Sequence, residues 1–300
     1  MSVDRPIALF FPGQGSQIKG MGVDYYAYSP AAKAIFDLAD ELAWKLKLGY
    51  SITELCFEDP KQELRGQNAN TAKIQPALLT ADIAIYRHLK SMGLKKPDYI
   101  AGHSAGKLVA PVAIGDMDFE TGFKMMVRRG EEMKNSRGAK EGVVGIIDTF
   151  GKEIPGIDPE LGLWGLVHEA FAELGPLASS FCPSVENSEA QVVFSGLSSQ
   201  LLPVLDRLRL IPHRLVEIYE GAPVSHNKLS EDAQQGFNNF VEGLHGRMKD
   251  LLSIPLIDDR DGSIMHRAEE YISSLTNHIS GPISWRKVMR AAAAPWIIAP

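Results

Sequence analysis

The chain has 300 residues, of which 45% are hydrophobic and 23% charged, and a formal net charge of −6. That length suits one large domain or two ordinary ones, with ample apolar material for a buried core. The charge argues against a nucleic-acid binder and no apolar run approaches the roughly 18 residues of a membrane span; two cysteines, Cys56 and Cys182, make neither a disulfide framework nor a metal-ligand cluster.

The N-terminus, "MSVDRPIALFF", carries an acid and a proline before a short apolar stretch, so it reads as a first strand rather than a signal peptide, and a cytoplasmic protein is expected. The strand "PIALFF" (6–11) is ended by the glycine turn of "PGQGSQ". Ser29 as N-cap, Pro30 at the first helical position and Gly49 as stop predict a helix over 29–49. A second helix is predicted over 71–93, with Pro76 near its start. "DYIAGHS" is a strand feeding a turn, and "AGKLVAPVAIG" starts a helix. Strand, helix, strand, helix is the alternation of a layered α/β fold.

From about Gly142 the pattern changes. "GVVGII" (142–147) is strand-like, 159–174 helical, "SSFCPSVEN" and "AQVVFSG" (190–196) a strand pair, 198–210 helical and "HRLVEIY" (213–219) again strand-like. The order β-α-β-β-α-β predicts a ferredoxin-like subdomain over 136–215. It is inserted into a larger α/β-hydrolase-like domain formed by 1–135 and 216–300 around a central, mostly parallel sheet. On return, a helix is predicted over 226–251 and a short strand at "IPLID" (254–258). The final "AAAAPWIIAP" reads as one more strand, cut short at Pro300.

Residues 101–110, "AGHSAGKLVA", hold a Gly-x-Ser-x-Gly. Such an elbow needs glycine two before and two after the serine, because the nucleophile sits on a turn too tight for side chains at either place. A helix starting there points free N–H groups at developing negative charge. Composition alone gives roughly 0.2 such motifs per chain of this kind. The preceding strand and following helix make Ser104 the candidate nucleophile. It needs a base to take its proton, and of the eight histidines (88, 103, 168, 213, 226, 245, 266 and 278) His226 sits at a loop-to-helix junction in the returning domain, a position that composition alone does not select.

In order along the whole chain, "FPGQGSQ" (11–17), "QPALLTADIAIYRHL" (75–89), "AGHSAG" (101–106), "RRGEEM" (128–133), "ENSEAQVVFSG" (186–196), "PVSHNKL" (223–229) and "GPISW" (281–285) resemble the malonyl-CoA:acyl carrier protein transacylases and related polyketide-synthase acyltransferase domains. The resemblance implies Ser104 as the acylated nucleophile and His226 as its base. The base would be oriented by a backbone carbonyl, assigned to His278 in "NHISGPISW". Arg129 would pair with the free carboxylate of a malonyl group. The backbone N–H groups of Gln14 and Ala105 would form the oxyanion hole, and Gln75 and Asn187 would be further polar residues of the site. It also implies a coenzyme A thioester as substrate with no bound cofactor, acyl carrier protein as partner, and a monomer.

Two departures stand out. The family pattern Gly-His-Ser-Leu-Gly-Glu is here Gly-His-Ser-Ala-Gly-Lys. Ala105 keeps a backbone donor and removes bulk beside the nucleophile. Lys107 puts a cation in the first helical turn, where the dipole favours an acid, on the same face as Ser104; it is expected to point to solvent. The second departure is at Ser225, before His226, where many malonyl-selective synthase domains carry phenylalanine. The acyl group, malonyl or methylmalonyl, and the pathway, fatty acid or polyketide, stay open. Other classes are a thioester hydrolase of the same superfamily, which needs Ser104 and His226 but not Arg129, a patatin-like lipase, faintly suggested by "DRDGS" (259–263), and a non-catalytic carrier-binding module. The basic stretch Lys124, Arg128, Arg129, Lys134, Arg137 and Lys140 is a surface on which an acidic carrier protein would dock.

Overall fold

The structure, a computed structural model, describes residues 6–152, 154, 161–219 and 222–297. The apolar run after Pro6 forms strand β1 (Ala8–Phe11). Helix α1 (Val23–Tyr28) leads into α2 (Pro30–Lys45), whose Ser29 accepts the Ala32 N–H with Pro30 at the first position, and α3 (Ile52–Phe57) is capped in the same way by Ser51. Next comes α4 (Thr71–Ser91), with Pro76 in its second turn, and strand β2 (Tyr99–Gly102). Helix α5 (Gly106–Ile114) is stopped by Gly115 in the left-handed region, and α6 (Phe119–Asn135) is capped by Asp118, followed by the short α7 (Arg137–Glu141).

The middle of the chain supplies β3 (Gly142–Asp148), α8 (Gly162–Leu174), β4 (Cys182–Glu186), β5 (Gln191–Leu197), α9 (Leu201–Leu208) and β6 (Leu215–Tyr219). The remainder forms α10 (Glu231–Glu242), β7 (Leu251–Ile257), β8 (Ile264–Arg267), α11 (Ala268–Leu275), β9 (Ile283–Ser284) and α12 (Trp285–Ile297). No helix among the described residues is long and apolar enough to cross a membrane.

These strands make a mixed α/β fold with two sheets. One has the order β1-β2-β7-β8, with β1, β2 and β7 parallel and β8 antiparallel at the edge. The other has the order β6-β3-β5-β4-β9, antiparallel through its first four strands, with β9 parallel to β4. The parallel sheet is covered on both faces, as such sheets require. On one side lies the large core of Phe36, Ile74, Leu79, Leu108, Phe123 and Tyr271; on the other, Ala101 and Ile257 pack against Val288 and Ala292 of α12. A separate core of Ile147, Val167, Phe171, Phe181, Phe194 and Leu208 backs the antiparallel sheet. Both cysteines are free thiols, Cys56 buried and Cys182 partly so.

Three sequence expectations need correction. The terminal apolar run belongs to helix α12 as far as Ile297 and not to a strand, with 298–300 outside the described residues. Alanine is the best helix former, and the uncovered sheet face needs a helix. The helix expected over 226–251 is only α10, which stops at Gly243, and the following strand starts at Leu251 rather than 254. The helix predicted over 29–49 with Gly49 as stop ends at Lys45, and of the helix predicted over 159–174, residues 159 and 160 lie outside the described residues.

Candidate active site

The three parallel strands end at one edge of the sheet, and the segment after each contributes to a single site, as expected at the carboxyl edge of an open α/β sheet. After β1 comes the loop of Gly13 to Gln17, after β2 the turn carrying Ser104, and after β7 the pair Asp258 and Asp259.

The turn is built by glycine. Ser104 has φ +50°, a strained value for a residue with a side chain. A Cβ on Gly102 would lie 2.0 Å from the Gly106 carbonyl carbon and oxygen, and one on Gly106 would lie 2.4 Å from the Phe11 carbonyl oxygen. Gly13 is equally constrained, since its Cβ would meet the His103 carbonyl oxygen at 2.5 Å. The "FPGQGSQ" loop can therefore lie directly against the elbow only with glycine there.

Ser104 Oγ is 2.8 Å from His226 Nε2. His226 Nδ1 lies 3.0 Å from the Gly281 carbonyl oxygen, to which only an Nδ1–H can donate. That leaves the Nε2 lone pair facing the serine hydroxyl, the tautomer a general base needs. The orienting carbonyl thus comes from Gly281, three residues beyond the expected His278. Backbone carbonyls carry no side-chain signature, so sequence reading placed it in the right segment and on the wrong residue. His226 is buried. Burial first, then the neighbouring His278 and the Arg129 guanidinium, hold its pKa well below the ordinary 6.5, against the opposing pull of Asp259.

His278 instead uses its ring. Its Nε2–H donates to Asp259 Oδ2 at 3.0 Å, and the ring stands edge-on against His226 with centroids 5.5 Å apart. Burial lowers the His278 pKa to about 4, so the ring is neutral. The same Asp259 Oδ2 accepts the Ser104 backbone N–H at 3.0 Å. Sequence reading passed over Asp259, touching it only as part of "DRDGS". The carboxylate bonds the serine backbone rather than its hydroxyl, so it is not the nucleophile's proton acceptor.

Lys107 does not point to solvent. Its side chain is 1% exposed, with Nζ 2.7 Å from Asp258 Oδ1 and 3.0 Å from Asp259 Oδ1. Burial alone would raise the Asp259 pKa, but Lys107 and His278 hold it well below the carboxylate range. Asp258 is lowered too, by Lys107 and by the Arg260 guanidinium that also bonds it.

Arg129, on α6, is 1% exposed and reaches Ser104 Oγ with Nη2 at 3.3 Å. Its Nε has no partner, and among the described residues no carboxylate lies within ion-pair distance of it. Burial lowers its pKa to about 10, leaving it cationic at neutral pH. Gly130 permits this placement, because a Cβ there would sit 2.8 Å from the Thr71 carbonyl oxygen at the start of α4.

Gln14 and Gln75 are linked through Thr71: its hydroxyl donates to Gln14 Oε1, and it accepts from Gln75 Nε2 at 3.4 Å. Gln75 also reaches Met133 Sδ and leaves its own Oε1 without a partner in a fully buried position. Neither Gln75 nor Gln14 bonds the serine or histidine directly. Asn187 joins the site through its neighbour, with Oδ1 3.0 Å from His103 Nε2 and Nδ2 donating to Gln191. The backbone N–H groups of Gln14 and Ala105 donate to no other described residue, and Ala105 is the residue from which α5 starts. Of the other basic residues in this stretch, Lys124, Arg128 and Arg137 pair with Glu120, Glu132 and Glu141, while Lys134 and Lys140 make no ion pair among the described residues.

Comparison with known proteins agrees with this geometry. Residues 9–148 match a family model described as an acyl transferase domain. The malonyl CoA-acyl carrier protein transacylase of Bacillus subtilis is 31% identical over 289 residues, covering 94% of this chain and 81% of that protein. The solved structure of the malonyl CoA-acyl carrier protein transacylase from Coxiella burnetii superposes with a TM-score of 0.79 at 26% identity, over 98% of this chain and 85% of that one. A malonyl-transacylase solved in complex with its type II polyketide acyl-carrier protein superposes with a TM-score of 0.76 at 28% identity, over 94% and 83% of the two chains.

Proposed function

The chain belongs to the acyl transferase family that includes the malonyl CoA-acyl carrier protein transacylases, and on that premise we propose that it moves a malonyl or related dicarboxylic acyl group from coenzyme A to acyl carrier protein. Ser104 Oγ attacks the thioester carbonyl while His226 Nε2 takes its proton. The N–H groups of Gln14 and Ala105 hold the tetrahedral oxyanion, and its collapse releases the coenzyme A thiol with the proton from His226. The phosphopantetheine thiol of the carrier then gives a proton to His226 and attacks the acyl-serine. The second collapse returns that proton to Ser104 and frees the acyl carrier.

The observation that carries the dicarboxylic reading is Arg129. A buried guanidinium beside the nucleophile, with an unpartnered Nε and no carboxylate counter-ion among the described residues, is costly unless an anion meets it. A substrate carboxylate supplies that anion in the bidentate geometry guanidinium favours. The unpartnered Oε1 of Gln75 and the side chain of Asn187 are the further polar groups proposed for the acyl pocket. A setting in the cytoplasm goes with these substrates. The proposed division into 1–135 with 216–300 and a ferredoxin-like unit over 136–215 is supported by the strand order β6-β3-β5-β4 and by the separate core behind it, with β6 reaching on to Tyr219. The thioester-hydrolase alternative has no observation in its favour.

Intact mass after incubation with malonyl-, methylmalonyl- and acetyl-CoA tests the proposal. A dicarboxylic acyl adduct is expected on the native chain and none on Ser104→Ala. Arg129→Ala should slow dicarboxylic loading by on the order of 100-fold and acetyl loading far less. Equal losses for both donors would remove the carboxylate role, and no adduct from any donor would remove the transfer reaction.

A further inference from the structure

We infer that Asp259, held by Lys107, is a positioning residue that fixes the nucleophile's backbone and the bed of the base ring in one contact. The inference rests on the Ser104–His226 reading above and extends it to a pair of residues 152 positions apart.

The two carboxylate oxygens of Asp259 are divided. Oδ1 takes the Lys107 ammonium at 3.0 Å; Oδ2 takes the Ser104 N–H and the His278 Nε2–H, each at 3.0 Å. Ser104 is the strained residue at φ +50°, so the bond to its N–H acts where the backbone most needs restraint. His278, gripped by the same oxygen, presents its ring edge-on to His226, the group that must meet Ser104 Oγ. One carboxylate therefore sets the elbow and the surface on which the base rests. Its own backbone is fixed as well, since the Asp259 carbonyl accepts the Ser284 N–H at 2.8 Å.

Lys107 makes this arrangement tenable. A carboxylate this deeply buried requires a partner, and lysine three residues past the nucleophile delivers one from the nucleophile's own helix. A cation in the first turn of α5 opposes the helix dipole, but Asp258 and Asp259 restore negative charge at that end from the neighbouring strand. The lysine that breaks the family pattern is thus one half of a buried pair whose other half comes from the end of β7.

The test reads Ser104 reactivity in two ways on the folded protein. One is labelling by a fluorophosphonate, in which the serine oxygen displaces fluoride; the other is loading from malonyl-CoA, each followed by intact mass over time, with the KM for malonyl-CoA and the thermal midpoint recorded. Asp259→Asn should slow both reactions by on the order of 100-fold with KM within about twofold, because orientation is lost and the acyl pocket is not. Lys107→Met should slow both reactions too, and the double variant Lys107→Met with Asp259→Asn, which leaves Asp258 paired with Arg260, should be as slow as the slower single variant, since the pair acts as a unit. Native labelling rates in either folded variant, or losses that multiply in the double variant, overturn the inference. If the native chain reacts with the phosphonate and takes no acyl group from any thioester, the transfer proposal falls while the positioning inference is still decided by the phosphonate rates.

Discussion

His226 is held neutral before any substrate arrives, which fixes how the reaction should respond to acid. The groups facing it are Arg129 and His278, which push protons off, and Asp259 and the Gly281 carbonyl, which favour them. With burial added, the balance leaves its pKa well below 6.5. The base form is therefore fully present at pH 6.5, where a free imidazole is half protonated, and the acylation rate should hold down to a lower pH before falling. Removing the Arg129 charge removes a group that lowers this pKa, so the acid limb of Ser104 labelling by a fluorophosphonate should move to higher pH in Arg129→Met. A limb that stays in place or moves down would show that Arg129 does not act on the base. Ser104 was legible in the sequence because an elbow is a local pattern, whereas His226 was one of eight histidines and was singled out only by the resemblance of "PVSHNKL". Asp259 was not legible, because its partners Ser104 and Lys107 lie more than 150 residues away, and only the parallel pairing of β2 with β7 brings them together. Lys107 was misplaced for the same reason: a lone lysine reads as solvated until its acids are found.

The elements around the site were legible where they announce their own ends. Ser29 with Pro30 marked the start of α2. The C-terminal helix was missed because a short apolar run cannot be told from a strand by periodicity, and what selects the helix is the distant sheet face formed by Ala101 and Ile257. The loop after β1 carries a consequence of its own. Gly13 has an ordinary backbone conformation, so an alanine there meets a purely steric obstacle: the His103 carbonyl at 2.5 Å and the ring Nδ1 at 2.9 Å. Gly13→Ala must push the loop away from the elbow and take the Gln14 N–H with it. The expected result is an acylation rate lower by roughly 10- to 100-fold, the order associated with one displaced oxyanion donor, with KM for malonyl-CoA nearly unchanged. Single-turnover loading at saturating and limiting donor separates the two quantities. A native rate in the folded variant would show that loop and elbow need not touch.

At the scale of the whole molecule, three buried groups among the described residues, Asp82, His226 and His278, shape the pH dependence of stability between pH 8 and 4.5, and their signs differ. Asp82 has its pKa raised by burial to about 8, so the folded chain holds a proton that the unfolded chain, at 3.8, releases. Its contribution is complete below 3.8 and is lost as pH rises through about 8. His226 and His278 are depressed, to well below 6.5 and to about 4, so the unfolded chain binds protons that the folded chain refuses. Their contribution is present above 6.5 and is lost as pH falls toward 4. Each unmatched proton changes the unfolding free energy by about 1.4 kcal/mol per pH unit. Between pH 8 and 6.5 only Asp82 acts among the three, and stability should rise as pH falls. Below 6.5 the two histidines outweigh it, and stability should fall before ordinary carboxylates titrate; Asp258 and Asp259, themselves depressed, then add their loss below 3.8. Urea unfolding at intervals from pH 8 to 4.5 should therefore show a maximum near 6.5. Asp82→Asn should flatten the alkaline side and steepen the acid side. A maximum that stays the same in that variant would mean that Asp82 is ionised in the folded chain, and a curve flat from 6.5 to 5 would mean that the paired histidines are not buried as neutral rings.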